Sequence, residues 1–170
     1  MPWSTDVHLR LADPAPVVAL LAATGEECYV AITGPGWVGV FSRRAEESGG
    51  AETPRLAARL AEACKTWAIG ILTSPDALYY WLYRGRHEVD RHPERRHLLP
   101  LRRQRPLLRL APTPEDGEQL RLFLADPTAH DAATHLTEGL GLVYAGIVYS
   151  DFEADVVPSG LAQTAVRLPR

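Results

Sequence analysis

The stretch that decides the fold is Val7-His8-Leu9-Arg10-Leu11-Ala12-Asp13-Pro14-Ala15-Pro16-Val17-Val18-Ala19-Leu20-Leu21. Its period changes part-way. Val7, Leu9 and Leu11 alternate with His8 and Arg10, the pattern of a half-buried strand with its polar side to water. Asp13-Pro14 then signals a helix start: the carboxylate can accept from an orphan N–H, and proline at the first helical position loses no hydrogen bond. Val17, Leu20 and Leu21 follow at helical spacing, and the helix should stop near Thr24-Gly25. A strand therefore feeds directly into a helix.

The same start signal recurs at Thr53-Pro54, Thr113-Pro114 and Asp126-Pro127. The second helix uses Leu56, Leu60, Ala63 and Cys64. The third has Glu115 and Asp116 in its first turn, where acids suit the helix dipole, then Leu120, Phe123 and Leu124. The fourth uses Ala132, Ala133 and Leu136, with Gly139 and Gly141 placed to end it. Between helices the period drops to two. Residues 28–33 and 37–44 flank Gly34-Pro35-Gly36 as a hairpin, and 67–72 reads as a strand leaving the second helix. Residues 78–83 and 86–91 flank Arg84-Gly85 as a second hairpin. Residues 142–149 read as a continuous apolar strand, and 151–170 as a loop with an edge strand near 165–168.

The order is βαββαβ, then ββ, αα and β, and its first six elements follow the split βαβ plan of ferredoxin-like folds. The expected class is α+β: two layers, with helices on one face of a mainly antiparallel sheet. A single domain over 1–170 is expected, with an Arg/Leu-rich irregular segment at 92–112. A chain of 170 residues can bury roughly 68–70% of its unfolded surface, enough for a true core.

The net charge of −3 hides an asymmetry. Residues 84–109 hold nine arginines against three acids, a net of +6, so the other 144 residues carry −9. The total would exclude a basic nucleic-acid binder; the distribution does not. No apolar run approaches the 18 residues of a membrane helix, and the N-terminus lacks the charged and apolar regions of a signal peptide, so no membrane association is expected. Cys28 and Cys64 sit 36 residues apart in apolar surroundings and read as free thiols, which points to a reducing, cytoplasmic setting.

The motif search yields no catalytic signature and no cofactor or metal. Gly34-Pro35-Gly36-Trp37-Val38-Gly39 matches G-x-G-x-x-G, but an alternating strand follows it where a dinucleotide site needs a helix, so it reads as a hairpin turn. His87, His92 and His97 recur every fifth residue, which does not converge them on a metal. His130 and His135 lie 140° apart on their helix. Asp151, Glu153 and Asp155 would share one face of an extended chain and read as an acidic rim. No serine has a G-x-S-x-G elbow, and neither cysteine has an evident base.

The remaining constellation is the second hairpin and its tail. Tyr79, Trp81 and Tyr83 share one face of their strand, while Leu78, Tyr80 and Leu82 share the other. With the leucine face toward the helices, the aromatic row is left beside the arginines. The expected binding residues are Tyr79, Trp81, Tyr83, Arg84, Arg86, Arg91, Arg95, Arg96, Arg102, Arg103 and Arg105. Aromatics beside arginine suit base stacking and protein-interface hot spots alike. Leu98, Leu99, Leu101, Leu107, Leu108 and Leu110 give the tail enough apolar surface to dock on its own chain or on another.

At this hairpin the chain resembles an uncharacterised group of small bacterial proteins. Their pattern is an aromatic strand, a glycine turn and a strand ending in Val/Leu-Asp: here Tyr80-Trp81-Leu82-Tyr83, Gly85 and Val89-Asp90. A loose match continues through 136–149, and the resemblance spans about residues 1–150. It departs at His92-Pro93-Glu94-Arg95-Arg96, where the group has a polar turn. The group has no established activity, so the resemblance implies no functional residues.

The expected function is a non-catalytic protein-interaction module whose hairpin and tail engage a protein partner or a second copy as a homodimer. The alternative is nucleic-acid binding through residues 84–109 with Tyr79, Trp81 and Tyr83, which the −9 remainder disfavours by repelling a polyanion.

Overall fold

Ser4–Arg10 forms β1, the central strand of a seven-stranded antiparallel sheet. The computed structural model describes residues 4–74, 77–92, 106–126, 131–144 and 146–169. After β1 come α1 (Ala15–Thr24), β2 (Cys28–Gly34), β3 (Trp37–Ser42), α2 (Arg43–Glu47), α3 (Thr53–Ala63) and β4 (Trp67–Ser74). The hairpin of β5 (Ala77–Arg84) and β6 (His87–His92) follows, then a 3₁₀ helix, Pro106–Leu110. The chain continues through α4 (Pro114–Ala125), α5 (Ala132–Gly139), α6 (Tyr149–Glu153), α7 (Ser159–Ala162) and β7 (Val166–Leu168).

The strand order is β6-β5-β4-β1-β3-β2-β7. β1 pairs with β3 on one side (Val7 opposite Val40) and with β4 on the other (Val7 opposite Gly70). Each helical crossover of the first half skips one strand, because β3 lies between β1 and β2, and β1 lies between β3 and β4.

Strand parity divides the core in two. Val7 and Leu9 of β1 share a face with Val38, Val40, Ala68 and Tyr83, and there they meet Val17 and Leu21 of α1 and Leu56 and Leu60 of α3. Fully buried Leu9, Leu21 and Leu60 each contribute about 1.5–3 kcal/mol of transfer free energy. On the opposite face Trp37, Ile69, Ile71, Tyr80 and Leu82 pack against Leu107 and Leu110 of the 3₁₀ helix, Leu120 and Phe123 of α4 and Leu136 of α5. A smaller cluster joins Ala31 and Phe41 to Phe152 of α6 and Leu161 of α7. The helix layer expected on one face is formed by α1 and α3, and the C-terminal helices add a further, partial layer on the other. The tail leucines Leu107 and Leu110 therefore dock on their own chain.

The helix starts are built unequally. Thr113 and Asp116 form a reciprocal capping box on α4, and Asp13 Oδ1 accepts from Ala15 N–H at 2.9 Å. Thr53, by contrast, opens α3 without capping it; its hydroxyl bonds that of Thr5 on β1. Asp126 ends α4, and α5 begins at Ala132; Pro127 lies outside the described residues. β3 stops at Ser42, short of the expected Arg44, because the Ser42 hydroxyl accepts from Ala45 N–H and caps α2.

The C-terminal quarter corrects the sequence reading most. The described residues of 142–149 do not form a strand. Gly141 (φ +69°) and Gly146 (φ +72°) adopt left-handed backbone that breaks an extended run. Val143 and Tyr144 instead donate their N–H groups to the Thr33 carbonyl, at 2.7 and 3.1 Å, making a strap across the sheet. Nor are Asp151, Glu153 and Asp155 an extended acidic row: the first two lie in α6, where Asp151 accepts from Val148 N–H at 3.0 Å, and Asp155 takes φ +54° just after it. The edge strand expected near 165–168 is β7, which pairs with β2.

Candidate functional site

The hairpin's alternation is as the sequence indicates, but the aromatic row is not free. Tyr79, Trp81 and Tyr83 lie on the face occupied by α3. Tyr83 is buried in the core there, Trp81 packs against that core, and Tyr79 is half-buried. Helices reach β5 from both sides: α4 takes the Tyr80 and Leu82 face and α3 takes the other, so the aromatic row is partly covered by the protein's own chain. What remains accessible is the Tyr79–Trp81 pair, stacked with planes 11° apart and centroids 6.2 Å apart.

The arginines separate in the same way. Arg91 lies across from Trp81 but is bound to Glu88, at 2.7 Å through Nε and 3.1 Å through Nη2. Arg84 is exposed at the end of β5, its guanidinium 5.3 Å from the Trp67 ring centroid. Exposed Arg86 donates to His87 Nε2 at 3.4 Å. Among the described residues neither Arg84 nor Arg86 has a carboxylate within salt-bridge distance. Arg109 is exposed on the 3₁₀ helix. Arg95, Arg96, Arg102, Arg103 and Arg105 lie outside the described residues, as does His97. His92 packs inward, 6.4 Å from both Tyr80 and Phe123. The strand that borders the pair, β6, carries Glu88, Asp90 and Arg91 and a register shift opposite Leu82/Tyr83, features that discourage further strands from adding to an edge.

A second constellation escaped the sequence reading. His8 falls on the polar side of β1 that alternation predicts to face water, yet it and Asp6, two residues earlier on the strand, are both buried at the middle of the sheet. His8 Nδ1 is 2.9 Å from Thr33 Oγ1, and His8 Nε2 is 3.4 Å from Asp6 Oδ2. Asp6 Oδ2 in turn accepts the Gly146 N–H of the strap at 2.9 Å. A hydroxyl, an imidazole and a carboxylate in a row are the components of a nucleophilic triad. The row does not meet the demands of one, since Thr33, His8 and Asp6 are all buried and no reactant can sit beside the hydroxyl. Its evident work is to fasten the strap. A proton on Nε2 faces Asp6 while Nδ1 accepts from Thr33, the one tautomer that sets no two acceptors against each other. The only advance signal was the pair of polar residues flanking Val7, which parity alone assigns to either a wet or a covered face.

A further polar network ties the C-terminal segment to β2. Tyr29 donates to Glu153 at 2.6 Å and Tyr149 to Glu27 at 2.9 Å, while Arg43 holds Glu27 from the other side at 3.2 Å. The Tyr149 hydroxyl, with Arg43, keeps the Glu27 carboxyl below its ordinary value. Burial and the adjacent Glu153 push the Tyr29 phenol up to about 12, and burial pushes the Cys28 thiol up to about 12. Both cysteines are free thiols. Among the described residues no group of three or more His, Cys, Asp or Glu side chains is placed to hold a metal ion, and no helix is long and apolar enough to cross a membrane.

No protein-family model, curated protein or solved structure matches this chain.

Proposed function

We propose that the protein is a non-catalytic interaction module that binds an acidic protein segment through the β5–β6 hairpin. The observation that carries this is the half-exposed Tyr79–Trp81 stack on a hairpin whose terminal Arg84 and Arg86 lack carboxylate partners among the described residues. Aromatic and arginine side chains concentrate binding energy at interfaces, and uncompensated guanidinium groups select carboxylates. The acidic segment belongs to another protein or to a second copy of this chain, whose remaining residues carry −9. Two free thiols, one of them buried, suit a reducing cytoplasm. Nucleic acid is the competing polyanion, and withdrawal of Tyr83 into the core shortens its stacking platform from three rings to two.

The test is fluorescence anisotropy with a labelled peptide alternating Glu and Leu and, separately, a labelled single-stranded oligonucleotide, from about 50 to 200 mM salt. Peptide binding that weakens about tenfold in Arg84→Glu/Arg86→Glu, with unchanged thermal stability, supports the reading. An oligonucleotide that binds more tightly than the peptide overturns it, as does no peptide binding at the lowest salt. Light scattering over the same salt range separates the two sources of acid, since a hairpin contact between copies dissolves as salt rises.

A further inference from the structure

The helix α1 has no polar face. Its sequence is Ala15-Pro16-Val17-Val18-Ala19-Leu20-Leu21-Ala22-Ala23-Thr24, and its one polar side chain, Thr24, turns its hydroxyl back to the Leu21 carbonyl at 3.0 Å. Val17 and Leu21 point into the core. Ala15, Pro16, Ala19, Ala22 and Ala23 are exposed, and Val18 and Leu20 are only partly covered. A surface helix ordinarily presents charged or polar residues on its outer side, and an apolar all-round helix is ordinarily covered. The sheet continues the same surface. Val166 of β7, against which α1 packs, and Ile32 of β2 are each 39% exposed, on the face of the sheet that α1 covers.

We infer that this face, the outer side of α1 with Ile32 and Val166, is the contact between two copies of the chain. Charge selects the occupant. No residue from Pro14 to Gly25 is charged; of the flanking acids, Asp13 accepts from the Ala15 N–H, Glu26 is held by Arg59 and Ser42, and Glu27 by Arg43 and Tyr149. A charged partner surface would lose hydration here and gain nothing in return. Among the described helices of eight residues or more, α1 alone has no charged side chain, so the matching surface of comparable length in this chain is α1 itself. Exposed residues no larger than alanine at 15, 19, 22 and 23 let two such helices cross closely, and a two-fold axis sets the same patch against itself. A lipid surface is a poorer match, because helices that lie on membranes carry Lys or Arg along their polar side.

Size sets the strength. A ten-residue helix is about 15 Å long, so the patch is well below the roughly 800 Å² per partner of a standard interface. The dimer is accordingly weak and concentration-dependent. It is also distinct from the hairpin contact, being apolar and therefore insensitive to screening.

Sedimentation velocity on the full chain from about 10 to 500 µM, in low salt and in about 1 M NaCl, tests this. The expected result is a monomer–dimer equilibrium that salt does not weaken. Ala19→Arg, a good helix former at an exposed position, raises the dissociation constant at least about tenfold with the thermal midpoint unchanged. Leu122→Arg, which removes a different exposed apolar side chain on α4, leaves the equilibrium as it was. If Ala19→Arg lowers the thermal midpoint, Ala22→Glu is read in its place. A wild-type monomer at the highest concentration, an undiminished dimer in the α1 variant, or a dimer that salt dissolves each overturns the inference. Arg84→Glu/Arg86→Glu leaves this dimer intact, so its failure and that of the hairpin reading are told apart.

Discussion

Asp6 Oδ2 and His8 Nε2 lie 3.4 Å apart on alternate residues of β1, both side chains buried, and the same carboxylate oxygen holds the Gly146 N–H of the strap. Removing the carboxylate takes the acceptor from the Gly146 N–H and leaves the buried His8 Nε2 facing no charge, which costs more than the net value of one hydrogen bond. Asp6→Ala should lose about 3 kcal/mol, read as a lower urea midpoint at constant slope. Asp6→Asn should lose less, because its amide oxygen still accepts from Gly146. Equal losses in the two variants would show that the strap bond contributes nothing.

Gly34 lies under the strap. A Cβ there would sit 2.3 Å from the Gly141 carbonyl oxygen, a backbone atom that cannot rotate aside. Gly34→Ala must therefore lift the start of the strap, where the Trp37 indole donates to the Leu140 carbonyl at 2.7 Å. A loss of about 2–3 kcal/mol is expected, together with a red-shifted Trp37 emission as that ring meets water. Wild-type stability and emission in the variant would place the strap elsewhere in solution.

Much of this architecture is legible in the chain. Asp13-Pro14 and Thr113-Pro114 mark real helix starts, and the glycine turns between β2 and β3 and between β5 and β6 fall where the alternation breaks. Such signals are local and need nothing from the rest of the molecule. The illegible parts depend on what covers a strand. Alternation places Tyr79, Trp81 and Tyr83 together but cannot say that α3 lies over them once α4 has taken Tyr80 and Leu82. It places Asp6 and His8 opposite Val7 but cannot say that a strap 140 residues away supplies Asp6 with its donor. Residues 142–149 misread for a related reason: their apolar run suits a strand, and only the left-handed Gly141 and Gly146 turn it into a crossing segment.

Within the hairpin a stability role for Tyr83 and the proposed binding role of Tyr79 can be measured separately. Tyr83 is buried in the core cluster on the face that α3 covers, so Tyr83→Ala should lose about 3 kcal/mol by opening a cavity. Tyr79 is half-buried and away from that centre, so Tyr79→Ala should lose about 1 kcal/mol or less while weakening the acidic-peptide complex. Paired urea and anisotropy titrations check both. A Tyr79 variant that binds like wild type would remove the aromatic part of the proposed surface.

The Glu27 network makes a prediction about acid. Its carboxyl is held below the ordinary value first by the Tyr149 hydroxyl and then by Arg43, so the unfolded chain takes up the proton before the folded one. The stabilisation from this group is thus complete above the unfolded value near 4.5 and fades as pH falls through the lower folded value. Tyr149→Phe removes the largest cause and leaves Arg43, so the folded and unfolded values draw together. Urea midpoints measured from about pH 6 down to about pH 3 should fall less steeply in Tyr149→Phe than in wild type, whatever their offset at neutral pH. The carboxyl carbon of Glu27, followed by NMR over the same range, should titrate at higher pH in the variant. Parallel stability curves and an unmoved Glu27 titration would mean that the Tyr149–Glu27 bond is not kept in solution, and with it the fastening of α6 to the start of β2.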